Sequence, residues 1–311
     1  MNPLSMLFGA GVAVRNVLYD RGALKVHKLA RPVVSIGNIS VGGTGKTPFV
    51  IALGELLKQR GIAFDVLSRG YGRSSTGIAV VDPHGSPQQF GDEPLLIARK
   101  LDVPVVVGID RYQAGLLAEE KFSSRLHLLD DGFQHRRLHR DFDIVLLPQK
   151  DLAGTLLPTG RLREPLSSLD RADAVVLFDP DIPGHKTLVF RAERIVTLDR
   201  TGGKAFVFCG IARSGQFFEG VKALGVEIAG KRAFGDHIRY QQADIDELLR
   251  AKQRCDTDFF LTTEKDLVNL GTLAAQLQPL RTAQLRIELE NPDQVLALIL
   301  EKIEQRSSMQ G

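Results

Sequence analysis

Short apolar runs recur through the first part of the chain, each followed by a longer segment of mixed polarity. Val33–Ile36, Ala63–Leu67, Val103–Val107, Leu126–Leu129, Asp143–Leu147 and Ala174–Leu177 read as buried strands. Lys46–Gln59, Glu93–Leu101 and Tyr112–Lys121 read as helices between them. Near-continuous apolar runs alternating with helices are the pattern of βαβ units around a mostly parallel sheet. The pattern breaks around residues 180–203, where Asp181–Gly184 (Asp-Ile-Pro-Gly) and Thr201–Gly203 (Thr-Gly-Gly) signal turns. A second alternation follows, with a strand at Ala205–Cys209 and helices near Gln216–Leu224 and Ile245–Lys252. Strands at Phe259–Thr262 and Gln284–Ile287 and a final helix from Asp293 complete it. The expectation is an α/β protein with a larger domain over residues 31–200 and a smaller α/β domain over residues 201–311.

The first 30 residues stand apart. Residues 1–14 carry no charged side chain, and Arg15, Arg21, Lys25, Lys28 and Arg31 then follow against the single acid Asp20. The apolar stretch is too short for a spanning helix, which needs ~20 residues. It lacks the leading Lys or Arg of a signal peptide. Leu4, Leu7, Phe8 and Val12 share one helical face. Two readings fit: a helix lying in a bilayer interface with basic side chains on anionic headgroups, or a first helix packed on the protein's own core.

Composition narrows the class without naming a chemistry. The chain has 311 residues, with 40 Lys+Arg against 37 Asp+Glu, so the net charge of +3 argues against nucleic-acid binding through bulk charge. At 43% hydrophobic and 25% charged it has the make-up of an ordinary soluble protein. Two cysteines, Cys209 and Cys255, make no disulfide framework and point to a reducing compartment.

The chemistry begins directly after the first strand. Gly37-Asn-Ile-Ser-Val-Gly-Gly-Thr-Gly-Lys-Thr47 is followed by a helical pattern, and its Gly45-Lys46-Thr47 end is the core of a P-loop. Glycines let successive N–H groups converge on phosphate oxygens, and the helix start turns its positive dipole end to the same anion. Ser40, Val41, Gly42, Gly43, Thr44, Gly45, Lys46 and Thr47 are the expected nucleotide cradle. Lys46 would reach the terminal phosphates, and the Thr47 hydroxyl would ligate Mg²⁺. Ser40 stands where GxxxxGK[ST] has its first glycine, and Val41 where partitioning-type ATPases carry a second lysine. The expected larger domain is therefore a P-loop NTPase-type sheet with helices on both faces.

Two acidic segments add to this. Gly91-Asp92-Glu93-Pro94 opens a helix, where Asp92 by residue type alone reads as a cap. Leu128-Leu-Asp-Asp-Gly-Phe-Gln-His135 ends a strand in Asp130-Asp131, where the carboxyl ends of parallel strands line a ligand crevice. In a P-loop protein an Asp there is the expected second handle on Mg²⁺; otherwise it is a turn cap. The basic run His135–Arg140, with Arg161 and Arg163, is either a solvated face or a hold on substrate phosphate. His237 by itself reads as structural.

Together these segments resemble the tetraacyldisaccharide 4′-kinase (lipid A 4′-kinase) family. The matching segments are SIGNISVGGTGKTPFV (35–50), LSRGYGR (67–73), GDEP (91–94), LDDGFQHRRLHRD (129–141), GRLREP (160–165), FCGIA (208–212), GDH (235–237) and TTEKD (262–266). They occur in family order over nearly the whole chain, with RNVLYDRG (15–22) before them, and Ser40 is normal for the family. The resemblance implies transfer of the ATP γ-phosphoryl group to the 4′-hydroxyl of a tetraacyldisaccharide 1-phosphate. It implies Asp92 as the base near the sugar hydroxyl, His237 as its partner from the second domain, and Lys46 on the phosphates. Thr47, Glu93 and Asp131 fit the magnesium shell, with Asp130 and Gln134 adjacent. Asn38, His135, Arg161 and Arg163 are the expected substrate contacts. A membrane-lipid acceptor favours the interfacial reading of residues 1–30, hence a peripheral enzyme on the cytoplasmic face of the bacterial inner membrane. No obligate protein partner is implied. The competing readings are a P-loop ATPase or GTPase switch, and a peripheral membrane protein with a structural nucleotide. The switch class usually carries the second loop lysine or an NKxD motif, and neither is present.

Overall fold

The computed structural model describes residues 2–178, 187–200 and 202–308. Of the two predicted turn segments, Asp181–Gly184 and Thr201 lie outside the described residues, while Gly203 does turn, with φ 96°. The predicted strands are found as β1 (Val33–Asn38), β2 (Phe64–Ser68), β4 (Val105–Val107), β5 (Leu126–Asp130), β6 (Phe142–Leu147) and β7 (Ala174–Leu177). Between them lie the two-residue strand β3 (Ala79–Val80) and the helices α2 (Lys46–Gln59), α3 (Pro87–Phe90), α4 (Asp92–Leu101) and α5 (Arg111–Lys121). The later chain supplies β8 (Leu188–Thr197), β9 (Lys204–Cys209), α6 (Ser214–Ala223), β10 (Glu227–Ala233) and α7 (Gln242–Cys255). It ends with β11 (Phe259–Thr263), α8 (Glu264–Leu270), β12 (Leu280–Leu289) and α9 (Pro292–Ser308).

The strands form one sheet in the order β10-β9-β11-β12-β8-β7-β6-β1-β5-β2-β4-β3. Strands β7, β6, β1, β5, β2 and β4 are mutually parallel. β1, β2 and β5–β7 are buried along their whole length, which is why their sequences are near-continuously apolar. β8 joins the two halves. Its Leu188–Arg191 end pairs parallel with β7, and its Ala192–Thr197 end pairs antiparallel with β12. Helix α9 crosses back to the first half, where Val295, Leu296, Ile299 and Ile303 enter the same core as Phe49, Val50 and Leu53 of α2. On the opposite face α5 packs Ala114 and Ala118 with Leu29 and Val106.

This core also contains a charge cluster that hydrophobic patterning does not reveal. His127 of β5 lies directly opposite Asp65 of β2, with Nδ1 2.7 Å from Asp65 Oδ1 and Nε2 3.4 Å from Glu119 Oε1 of α5. Burial works against charge on the imidazole, but the bonds to Asp65 and Glu119 outweigh it and hold its pKa above the usual value. Because the folded pKa is raised, this stabilisation is complete below the ordinary histidine pKa of ~6.5 and fades as pH rises through the folded value. His127→Phe leaves Asp65 buried without a counter-charge and should cost ~3–5 kcal/mol in denaturant unfolding near pH 6. A loss under 1 kcal/mol in that titration would show that the cluster contributes little.

Helix α1 (Pro3–Asp20) starts at Pro3, capped by the Asn2 side chain, which accepts from Leu4 N at 3.0 Å. It does not pack as a core helix. Ser5 is its only buried residue, while Leu4, Met6, Leu7 and Val14 are exposed, Leu7 at 73%. Its polar side holds it to the body. The Ser5 hydroxyl donates to the Leu156 carbonyl at 2.9 Å, and Asn16 Nδ2 donates to Glu164 Oε2 at 2.9 Å. Arg136 bonds Asp20 at 2.6 Å. Leu4, Leu7, Phe8, Gly11 and Val12, with Arg15 and Pro158, line an open apolar groove of about 410 Å³. Among the described residues no helix is long and apolar enough to cross a membrane.

Candidate active site

The site lies at the carboxyl ends of β1 and β5, on whose two sides the chain lays its next strands, the place where open α/β sheets bind ligands. The chain leaves β1 at Asn38, turns through Gly42 and Gly45 (φ 93° and 95°) and enters α2 at Lys46. Both glycines sit in the left-handed region that side chains resist, so the loop could not keep this path with larger residues there. Side chains brace it. Asn38 Nδ2 donates to Thr44 Oγ1 at 2.9 Å, Arg161 to the Val41 carbonyl at 2.9 Å, and Arg194 of β8 to the Thr44 carbonyl at 2.8 Å. The Ser40 hydroxyl donates to Asp151. The first N–H groups of α2 lack intrahelical partners, as at any helix start, and are available to an anion.

Asp130 and Asp131 close β5 beside this loop, in different states. Burial pushes Asp131 up, but Lys46 (Nζ 3.4 Å from Oδ1) and Arg163 (NH1 3.0 Å from Oδ2) outweigh it and hold the carboxyl below its usual range. Among the described residues no cation forms a salt bridge with Asp130, and Lys46 only partly offsets its burial. It accepts from Ser68 Oγ at 3.1 Å, and burial, followed by the negative charges of Glu93 and Asp131, pushes it up to about 7. Its Oδ1 is buried without a hydrogen-bond partner. Gln134 is fully engaged, donating to Asn38 O (2.8 Å) and Glu164 Oε1 (3.0 Å) and accepting from Arg163 (3.3 Å). Arg161 and Arg163, two residues apart in the motif, part company: Arg161 faces Gly42 and Arg163 faces Asp131. His135 turns toward Arg111, and burial with that neighbouring cation lowers its pKa to about 4, leaving it neutral.

The second acidic segment meets the second half of the chain. Gly91, with φ 91°, lies against Gly70 and the Tyr71 carbonyl, a turn that delivers Asp92 as the first residue of α4. Asp92 is buried and pairs with His237, whose Nδ1 lies 2.9 Å from Oδ2 and 3.2 Å from Oδ1. His237 takes a left-handed backbone (φ 57°) and packs on the Tyr71 ring at 5.1 Å. Burial pushes the Asp92 carboxyl up, but the bond from His237, then Lys265 and Asn269, bring it down to about 2. The Asp92 bond raises the His237 pKa in turn. Each group thus favours the charged form of the other.

Two residues here escaped the sequence reading. Lys265 and Asn269 lie one turn apart on α8, whose first turn is capped by Thr263 accepting from Asp266 N. Lys265 Nζ lies 3.2 Å from Asp236 Oδ1, 3.4 Å from Glu93 Oε1 and 3.6 Å from Asp92 Oδ2. Asn269 Nδ2 donates to Asp92 Oδ2 at 3.2 Å. The one signal was the TTEKD segment (262–266), which contains Lys265 but not Asn269 and gave the lysine no partner.

A cationic phosphate loop, an acidic pair beside it and an ion-paired carboxylate a short way along the crevice suit phosphoryl transfer to a hydroxyl. The profile of the tetraacyldisaccharide-1-P 4′-kinase family matches residues 1–304. The chain belongs to that family. It is 51% identical over 320 residues to a tetraacyldisaccharide 4′-kinase of Koribacter versatilis, covering 98% of this chain and 99% of the relative. It is 41% identical over 289 residues to that of Aquifex aeolicus, covering 86% and 88%. The crystal structure of Aquifex aeolicus LpxK in complex with ATP superposes with a TM-score of 0.81 at 37% identity, covering 97% of this chain and 98% of that one. The family's activity is ATP-dependent phosphorylation of the 4′-hydroxyl of tetraacyldisaccharide 1-phosphate in lipid A biosynthesis, and this chain is a kinase of that type.

Among the described residues no three His, Cys, Asp or Glu side chains form a metal cage. Mg²⁺ in phosphoryl-transfer sites needs none, since one or two carboxylates suffice with phosphate oxygens and waters. The unpartnered Asp130 Oδ1, with Asp131 and Glu93 near it, is a donor set of that kind.

Proposed function

We propose that the chain performs this transfer at a membrane surface, with Asp92 taking the acceptor's proton. The observation that carries the reading is the Asp92–His237 pair, which joins the first part of the chain to the second beside the phosphate loop. The 4′-oxygen bonds to the γ-phosphorus as the bond from that phosphorus to the β–γ bridging oxygen breaks. The hydroxyl proton passes to Asp92 and ADP leaves. A carboxyl held at about 2 is a weak base, so it orients the hydroxyl first and accepts the proton late. In a loose transition state the hydroxyl becomes strongly acidic only late, so the weak base is sufficient. Lys46 holds the terminal phosphates. Thr47, Asp130, Asp131 and Glu93 would hold Mg²⁺, which supplies charge neutralisation on the phosphate oxygens, while Gln134 braces Asn38 and Arg163. His237, Lys265 and Asn269 fix the Asp92 carboxylate. In this reading residues 31–200 bind nucleotide, and residues 201–311 close over the site.

The acceptor is a lipid, and α1 supports an interfacial approach to it at the cytoplasmic face of the inner membrane. The helix exposes Leu4, Met6, Leu7 and Val14 while its polar side is tied to the protein. An exposed apolar stripe with basic residues behind it partitions into an anionic interface. The full chain with Mg-ATP should phosphorylate a tetraacyldisaccharide 1-phosphate in detergent and sediment with anionic vesicles. Deleting residues 2–14 should move the protein to the soluble fraction. Unchanged sedimentation would remove α1 from the membrane role, and absence of transfer across several detergents would overturn the kinase reading.

A further inference from the structure

The second half of the chain lays Ala212-Arg213 over the glycine pair of the phosphate loop. A β-carbon on Gly43 would lie 3.6 Å from the Ala212 methyl, and one on Gly42 would lie 2.9 Å from Arg161 NH2. Lys150, Arg161 and Arg213 gather around this contact. Asp151, already bonded to Ser40, is the carboxylate that faces them, and Arg194, held to the Thr44 carbonyl and stacked 3.8 Å above the Phe178 ring, adds its charge to those acting on Lys150. Among the described residues, Arg213 Nε and NH2 are buried without a hydrogen-bond partner, and NH1 reaches only Gln216 Oε1, at 3.5 Å. Burial, then Arg213 and Arg161, hold the Lys150 amine down to about 8.

Cations crowded together repel, and buried guanidinium N–H groups without acceptors are costly. No catalytic role described above uses Lys150 or Arg213. Both features are relieved by one kind of occupant, a multiply charged oxyanion on the loop. We propose that Lys150, Arg161 and Arg213 form a cation cage for the terminal phosphate of the bound nucleotide, with Arg213 delivered by the second half of the chain. The proposal rests on the nucleotide reading of the phosphate loop. Charge in the transition state spreads over the three equatorial oxygens of the transferring group, and a guanidinium fork is shaped to bind two of them. The acceptor's 1-phosphate offers the same chemistry, but the cage sits against Gly42 and Gly43 of the nucleotide loop.

The test compares the full chain with Arg213→Gln, titrated without lipid against a non-hydrolysable ATP analogue, ADP and AMP, with turnover measured separately. The expected result is binding of the triphosphate weakened about tenfold or more, ADP less affected and AMP unchanged, as for loss of a charge-assisted hydrogen bond to the last phosphate. Turnover should fall at least ~10-fold and recover in part with Arg213→Lys. The melting temperature should hold or rise, because the lost N–H groups had no acceptor in the fold. Equal weakening of all three nucleotides, or of none, overturns the cage. So does a change confined to the KM of the lipid, which would assign these cations to the 1-phosphate. Failure of the unsubstituted chain to bind nucleotide would instead overturn the reading of the loop.

Discussion

Asp92→Asn should lower turnover by at least ~10² while ATP binding stays within a few-fold, the size expected when a positioned proton acceptor is lost. The substitution keeps the shape of the side chain. Its amide can still accept from Glu93 N, which the carboxylate now does at 2.9 Å, so the start of α4 should hold. What it loses is the negative charge that raises the His237 pKa and draws in Lys265, 3.6 Å away. The three groups act as a unit, so their effects should not add. His237→Asn alone should cost less than Asp92→Asn, and the double variant should be no worse than Asp92→Asn. Steady-state kinetics with lipid acceptor, beside nucleotide titration, reads both quantities. Unchanged turnover in Asp92→Asn would remove it from proton transfer. A fully additive double variant would show that His237 acts on the reaction independently of Asp92.

The parts of this site readable from the sequence are those whose chemistry is local. β1, the phosphate loop and α2 are contiguous, and their apolar run, glycines and Gly45-Lys46-Thr47 carry their own geometry. Asp130-Asp131 ends a strand buried along its length, so its place at the crevice follows from parallel-sheet topology. The Asp92–His237 pair is different. It spans 145 residues, and by residue type alone Asp92 read as a cap and His237 as structural; only the family resemblance joined them. Lys265, which reaches Glu93 across 172 residues, lay beyond both kinds of reading. The same limit applies to the fold. β8 and β10 carry mixed polar sequences because β8 is partly exposed where it links the two halves and β10 is an edge strand, so neither shows the continuous apolar run of β6. Conversely, the apolar positions of α1 were readable, but whether they faced a core was not. Tertiary placement decides that, and it leaves Leu4 and Leu7 exposed and Phe8 and Val12 half-buried.

Lys46→Ala should reduce kcat/KM by ~10²–10³, comparable to deleting one preorganised donor to a developing oxyanion. The loss should fall on catalysis and nucleotide binding, with little effect on folding. Lys46 is mostly buried, and among the described residues its ion pair is with Asp131, at 3.4 Å. Asp131 keeps Arg163 at 3.0 Å when Lys46 is gone, so no carboxylate is left buried without a cation. The lysine is held where the helix dipole and the loop converge, but in this structure its charge is spent on Asp131. A phosphate arriving on the loop competes for the ammonium group and frees the Asp131 carboxylate for the metal proposed beside it. On that account Lys46→Arg should not rescue the activity. A guanidinium is larger, and its fork would stay bidentate on the carboxylate instead of yielding a point charge to the phosphate. Recovery of most of the activity in Lys46→Arg would show that charge alone matters here. A melting temperature lowered by more than a few degrees in Lys46→Ala would show that the ion pair holds the fold as well as the substrate.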